Sequence, residues 1–91
     1  MEIEKSTRKN KRLVAIFDNG KKIHFGLKGG QTYLDHKDKV KRKNYIARHE
    51  VNEKKFYNSP YHASTLSRFL LWGDATNLNQ AITDFKKKFN L

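Results

Sequence analysis

Most of the side chains that could do chemistry here are cationic. Arg8, Lys9, Lys11 and Arg12 lie close together near the start. Lys21 and Lys22 follow an Asn-Gly pair, Lys28 is enclosed by Gly26 and Gly29, and Lys37, Lys41, Arg42, Lys43 and Arg48 crowd one segment. Cations in this number attract polyanions, and neutralising phosphates releases the counterions condensed on a nucleic acid. These twelve residues are the candidate contacts. Lysine outnumbers arginine among them and acts as a point charge rather than a planar fork, so the expected grip is on the backbone, with little base discrimination. The bland alternative is a solubilising surface, or one that meets an acidic protein.

Other chemistries are weakly supplied. Asp35, Asp38, Glu50 and Glu53 are the only carboxylates near one another, and they sit among lysines whose mutual repulsion they reduce, so a metal-dependent nuclease is not expected. His24, His36, His49 and His62 form no metal-spaced pair and there is no cysteine, so neither a metal nor a cofactor is expected. His36, between Asp35 and Asp38, reads as a helix-start residue, and His49 as a half-buried one. Gly26-Leu27-Lys28-Gly29-Gly30 could cradle a phosphate with backbone N–H groups, but it lacks the Gly-Lys-Ser/Thr ending of a nucleotide-hydrolysing loop. A tight chain reversal is the simpler reading. Phe17, Tyr33 or Tyr57 would stack on single-stranded bases if exposed. Trp72, Phe69 and Leu70 read as a core anchor, with an exposed partner patch as the alternative.

These groups need a scaffold, and 91 residues allow one small domain. Lys and Arg number 20 against 9 Asp and Glu, a net charge of +11, and 16 of the 20 lie in residues 1–60, leaving the last third as core and closure. No segment is apolar enough to cross a membrane, and the first residues lack a signal-like apolar stretch. The expected organisation is a flexible basic arm over 1–11 and one domain over 12–91.

Asp18-Asn19-Gly20-Lys21 predicts a two-residue hairpin turn between strands 12–17 and 22–27, with Ile16 facing Ile23 and Val14 facing Phe25. Val14, Ile16, Ile23 and Phe25 then form the face to be covered. Thr32-Tyr33-Leu34 could add a third strand. Asp35 or Asp38 caps a helix running to about Asn52, with Tyr45, Ile46 and His49 on one stripe and Lys37, Lys41 and Arg48 beside it. Ser59-Pro60 starts a second helix that ends at Gly73, and Thr76 caps a third carrying Leu78, Ala81, Ile82, Phe85 and Phe89. The class is α+β: a hairpin, or a small three-stranded antiparallel sheet, packed against about three helices.

Lys22-Ile23-His24-Phe25-Gly26 with Lys28-Gly29, then His36-Lys37-Asp38, Tyr45-Ile46-Ala47-Arg48-His49, Ser67-Arg68-Phe69-Leu70-Leu71-Trp72 and Lys87-Lys88-Phe89 together resemble a family of small basic uncharacterised proteins of large nucleocytoplasmic DNA viruses of eukaryotes. The likeness spans roughly residues 20–90. It departs where that family often has Trp near Phe56 and Phe69, and Thr-Ala-Gly in place of His62-Ala63-Ser64. The resemblance implies a viral origin and expression inside a eukaryotic host cell, with no established activity; the expected location is the cytoplasmic virus factory or nucleus of that cell, with the virion as an alternative. Charge and resemblance together predict a non-enzymatic protein that binds nucleic acid, DNA ahead of RNA, in packaging or organising a viral genome. The alternative is a minor virion component that binds acidic proteins.

Overall fold

Apolar alternation does produce paired strands. In the computed structural model, which describes residues 1–91, β2 (Lys11–Ile16) and β3 (Lys22–Leu27) run antiparallel. Their register is one residue away from the expected one: Ile16 pairs with Lys22, Ala15 with Ile23 and Leu13 with Phe25. The turn explains the shift. Phe17 N–H donates to the Lys21 carbonyl at 2.9 Å and Gly20 N–H to the Phe17 carbonyl at 2.9 Å, closing a three-residue loop with Gly20 at φ +88°. A slip of one residue exchanges the faces of a strand. Leu13, Ala15, Phe17 and Phe25 therefore enter the core with Ile23 against them, while Val14 lies on the opposite face beside Glu4 and His24.

The expected arm begins as structure. Glu2–Lys5 forms β1, which pairs antiparallel with β2 and completes a sheet of order β1-β2-β3. Ile3 lies opposite Ala15 and packs on the core, which holds this charged strand in place. Thr32-Tyr33-Leu34 is not a strand. Thr32 N–H and Oγ1–H both donate to Asp35 Oδ2, at 2.7 and 2.9 Å, and this capping box starts the single turn α1 (Tyr33–His36).

Asp38 caps α2 (Lys39–Glu53), accepting from the amides of Val40 and Lys41 at 2.9 and 3.2 Å. No residue of α2 is fully buried. Helix α3 (Ala63–Leu66) starts after His62 rather than at Ser59-Pro60, where the Ser59 hydroxyl accepts instead from the Tyr61 amide in a local turn. It continues as a π-helical segment, Ser67–Leu71, whose wider hydrogen bond runs from Trp72 N–H to the Ser67 carbonyl at 3.1 Å. A Cβ on Gly73 would lie 2.5 Å from the Phe69 carbonyl oxygen, so only glycine lets the chain leave the π segment here. Asn77, not Thr76, caps α4 (Leu78–Phe89), accepting from Gln80 N–H at 2.8 Å. Phe25, Leu66, Leu70, Leu71 and Phe85 form the fully buried centre, with the sheet on one side and α3, the π segment and α4 on the other. No helix is long and apolar enough to cross a membrane.

Candidate nucleic-acid interface

A helix with no buried residue must be held by a few specific contacts, and those contacts build the site. The Tyr45 ring stacks on Trp72 at 4.1 Å between centroids and 2° between planes, and its other face stacks on His49 at 4.0 Å. His36 lies against Trp72 at 5.3 Å, which extends the row to four rings. Arg42 Nε–H donates to the carbonyls of Trp72 and Gly73 at 3.1 and 3.0 Å, and its Nη2 meets Asp74 at 2.6 Å. Arg68 adds a second guanidinium bond to the Trp72 carbonyl at 3.0 Å. The backbone and one ring face of Trp72 are thereby fixed. Burial, and then the charge of Glu53, push the Tyr45 phenol far above its ordinary range, so it stays protonated.

Between α2 and the sheet lies a cleft of about 500 Å³. Lys11, Gln31 and Leu27 line one wall, Tyr45, Arg48 and His49 the other, and Trp72 and Ser67 the floor. A recess of about 290 Å³ shares Gln31, Arg48 and Trp72 with it and adds His36, Lys41 and Asn44. His36 Nδ1 accepts from Asp38 N–H at 2.9 Å, which puts the proton of the neutral ring on Nε2. That Nε2 is buried and has no hydrogen-bond partner.

The candidate cations divide into groups. Lys11, Lys41 and Arg48 line the cleft. Arg8 and Lys9 occupy the β1–β2 loop, and the Lys28 amide donates to the Asn10 carbonyl at 3.2 Å, so Arg8, Lys9, Lys11 and Lys28 gather at one end of the sheet beside the cleft. His24, on the neighbouring strand, has its pKa lowered first by desolvation and then by the charges of Arg8, Lys22 and Lys11. Ser6 Oγ lies 2.6 Å from His24 Nδ1 and accepts from Arg8 N–H at 3.0 Å, which ties the loop to the sheet. Lys21 and Lys22 stand at the hairpin end, separated from Lys11 by the length of β2, roughly 17 Å. There Lys21 lies over the Tyr61 ring at 5.0 Å. Lys37 is exposed at the end of α1 in a left-handed conformation, φ +55°. Lys43 is exposed on the side of α2 away from Lys41 and Arg48.

Two candidates have carboxylate partners within the fold. Arg12 makes a bidentate pair with Asp35 at 2.7 and 2.9 Å, and Arg42 holds the Trp72–Asp74 turn. Both guanidiniums organise the fold because each has a carboxylate within reach. The aromatic expectation also shifts. Phe17 and Tyr33 are buried and Tyr57 packs edge-on against Phe69, while Tyr45 and Trp72, not considered as stackers, wall the cleft. The available signal was Tyr45 and His49 one helical turn apart, together with a lone tryptophan. In the glycine loop, Gly29 at φ +83° permits the turn closed by Gly30 N–H on the Leu27 carbonyl at 3.0 Å, a chain reversal. No three His, Asp or Glu side chains converge as a metal site.

Residues 1–49 match DUF5754, a family of unknown function. The chain belongs to this family. The family segment contains the whole sheet, α1 and α2 as far as His49, and with them all twelve candidate cations. Trp72, the floor of the cleft, lies beyond it. The resemblance over 20–90 overlaps the family match only from residue 20 to 49. No curated protein and no solved structure matches the chain.

Proposed function

We propose that this member of the family is a non-enzymatic nucleic-acid-binding protein that grips the phosphate backbone with little sequence selection, DNA ahead of RNA, and serves to organise or package a viral genome. The observation carrying this reading is the grouping of Arg8, Lys9, Lys11 and Lys28 at one sheet end, continuous with Arg48 and Lys41 along the cleft. None of these six is within ion-pair distance of a carboxylate, so their charge is available to an anionic partner. The reading in which a virion protein meets acidic partners calls for an apolar patch around Phe69 and Trp72. Those rings are instead packed against Phe89 and Tyr57, and against Tyr45.

The test is a binding titration against DNA, RNA and polyglutamate over a range of salt. Contacts to about five phosphates give a logarithmic salt slope near −4 to −5 on duplex DNA. Replacing Arg8, Lys9 and Lys28 together by Ala should flatten that slope, whereas replacing Lys21 and Lys22 should do so less. Affinity that ignores salt, or that favours polyglutamate, overturns the proposal.

A further inference from the structure

We infer that the cleft between α2 and the sheet is a subsite for one unpaired nucleotide, its base against the wall formed by Trp72, Tyr45 and His49 and its phosphate at the rim among Lys11, Lys41 and Arg48. This rests on the nucleic-acid reading above and makes it specific to single strands.

Three observations carry it. The first is size and character. About 500 Å³, joined to a recess of about 290 Å³, lies in the range of small-ligand sites, and aromatic rings alternate there with groups that can read a base edge. Gln31 and Asn44 offer both donors and acceptors, and Ser64 and Ser67 add hydroxyls. The second is charge. Glu53 is the one carboxylate in either lining, and it lies 3.3 Å from His49 Nδ1, whereas Lys11, Lys41 and Arg48 are all present without a carboxylate partner. The third is an unused donor. His36 lines the recess, and its Nε2–H is buried and unpartnered in a ring otherwise held by the Asp38 amide. A buried donor without an acceptor is destabilising, so a small rotation of this ring that met a phosphate or base carbonyl oxygen in the recess would be favoured.

Rigidity favours the same ligand. Trp72 is held by the Tyr45 ring and by two arginines on its carbonyl, so the wall is preorganised and binding orders little of it. Tyr45 has both faces covered, by Trp72 and His49, so the base meets the uncovered parts of Trp72 and His49, contacts that tolerate any base. A base within a duplex keeps its faces stacked on its neighbours and cannot enter.

Trp72 is the only tryptophan in the chain, so its emission reports on the cleft directly. A short oligothymidylate and a mixed-sequence duplex of matched length are titrated separately at one salt concentration. The expected result is quenching of Trp72 by the single strand and about tenfold tighter binding of it than of the duplex. His36→Asn retains an acceptor for the Asp38 amide but removes Nε2, and Asn44→Ala is an exposed change. Each should weaken oligothymidylate binding several-fold while the melting temperature stays within a few degrees. Equal affinity for both nucleic acids with unchanged Trp72 emission overturns the subsite and leaves the backbone-binding reading in place. Binding of neither overturns both.

Discussion

Asp35 shows how one side chain can serve two partners. Its carboxylate closes the capping box with Thr32 and takes the bidentate grip of Arg12. The Arg12 hydrogen bond, followed by those from Thr32, holds its pKa well below the usual carboxylate range. A carboxylate whose pKa is depressed on folding stabilises the fold above its unfolded pKa and loses that contribution as pH falls. For Asp35 the loss starts near pH 4 and deepens with further acidification. Asp35→Asn should cost about 1–2 kcal/mol at pH 7, a figure that allows for partial solvent screening of the pair. Its melting temperature should also fall less steeply than that of the parent between pH 5 and pH 2. Parallel melting curves over that interval would remove Asp35 from the acid response.

Among the elements, the hairpin is the most exacting. A Cβ at Gly26 would sit 3.0 Å from Leu71 Cδ1 and 3.2 Å from Arg12 Cβ, and the residue is at φ +79°. At Gly20, φ is +88° but the space is open. Gly20→Ala should therefore cost about 1 kcal/mol, from backbone conformation alone. Gly26→Ala adds crowding against the core and should cost about 2–3 kcal/mol in urea denaturation. Equal losses would mean that Leu71 moves aside freely.

The same elements show what could be read without coordinates. The strands at 12–17 and 22–27, the Asp38 cap and the helical spacing of Leu78, Ala81, Phe85 and Phe89 were legible because periodicity and capping are local. Glu2-Ile3-Glu4-Lys5 was not, since its charges hide a strand held by pairing with β2 and by Ile3 alone. The hairpin register turned on a choice between two- and three-residue loops, which Asn-Gly does not settle. For the candidate site, Lys41 and Arg48 fell on one face by helical arithmetic. The internal roles of Arg12 and Arg42 depend on partners 23 and 32 residues away, and the contact of Tyr45 with Trp72 on packing across the molecule.

For the molecule as a whole, a small core must hold together a strongly cationic surface. Phe85 is 1% exposed at the centre of that core, and Phe85→Ala should remove about 3–5 kcal/mol, much of the stability of so short a domain. Self-repulsion at a net charge of +11 means that added salt should raise the melting temperature of the free protein. A nucleic acid that binds only the folded state should raise it at low salt, by an increment that shrinks as salt increases. A melting temperature that falls on adding moderate salt would show that attractive ion pairs outweigh the repulsion.

Helix α2 keeps every one of its residues out of the core, and Val51 on its outer side is 82% exposed. Because the chain has no thiol of its own, Val51→Cys would create a unique attachment point for a dye without disturbing the ring stack beneath. Paired with Trp72 as energy donor, such a dye would act as a ruler across the helix and follow its displacement in real time as a ligand arrives.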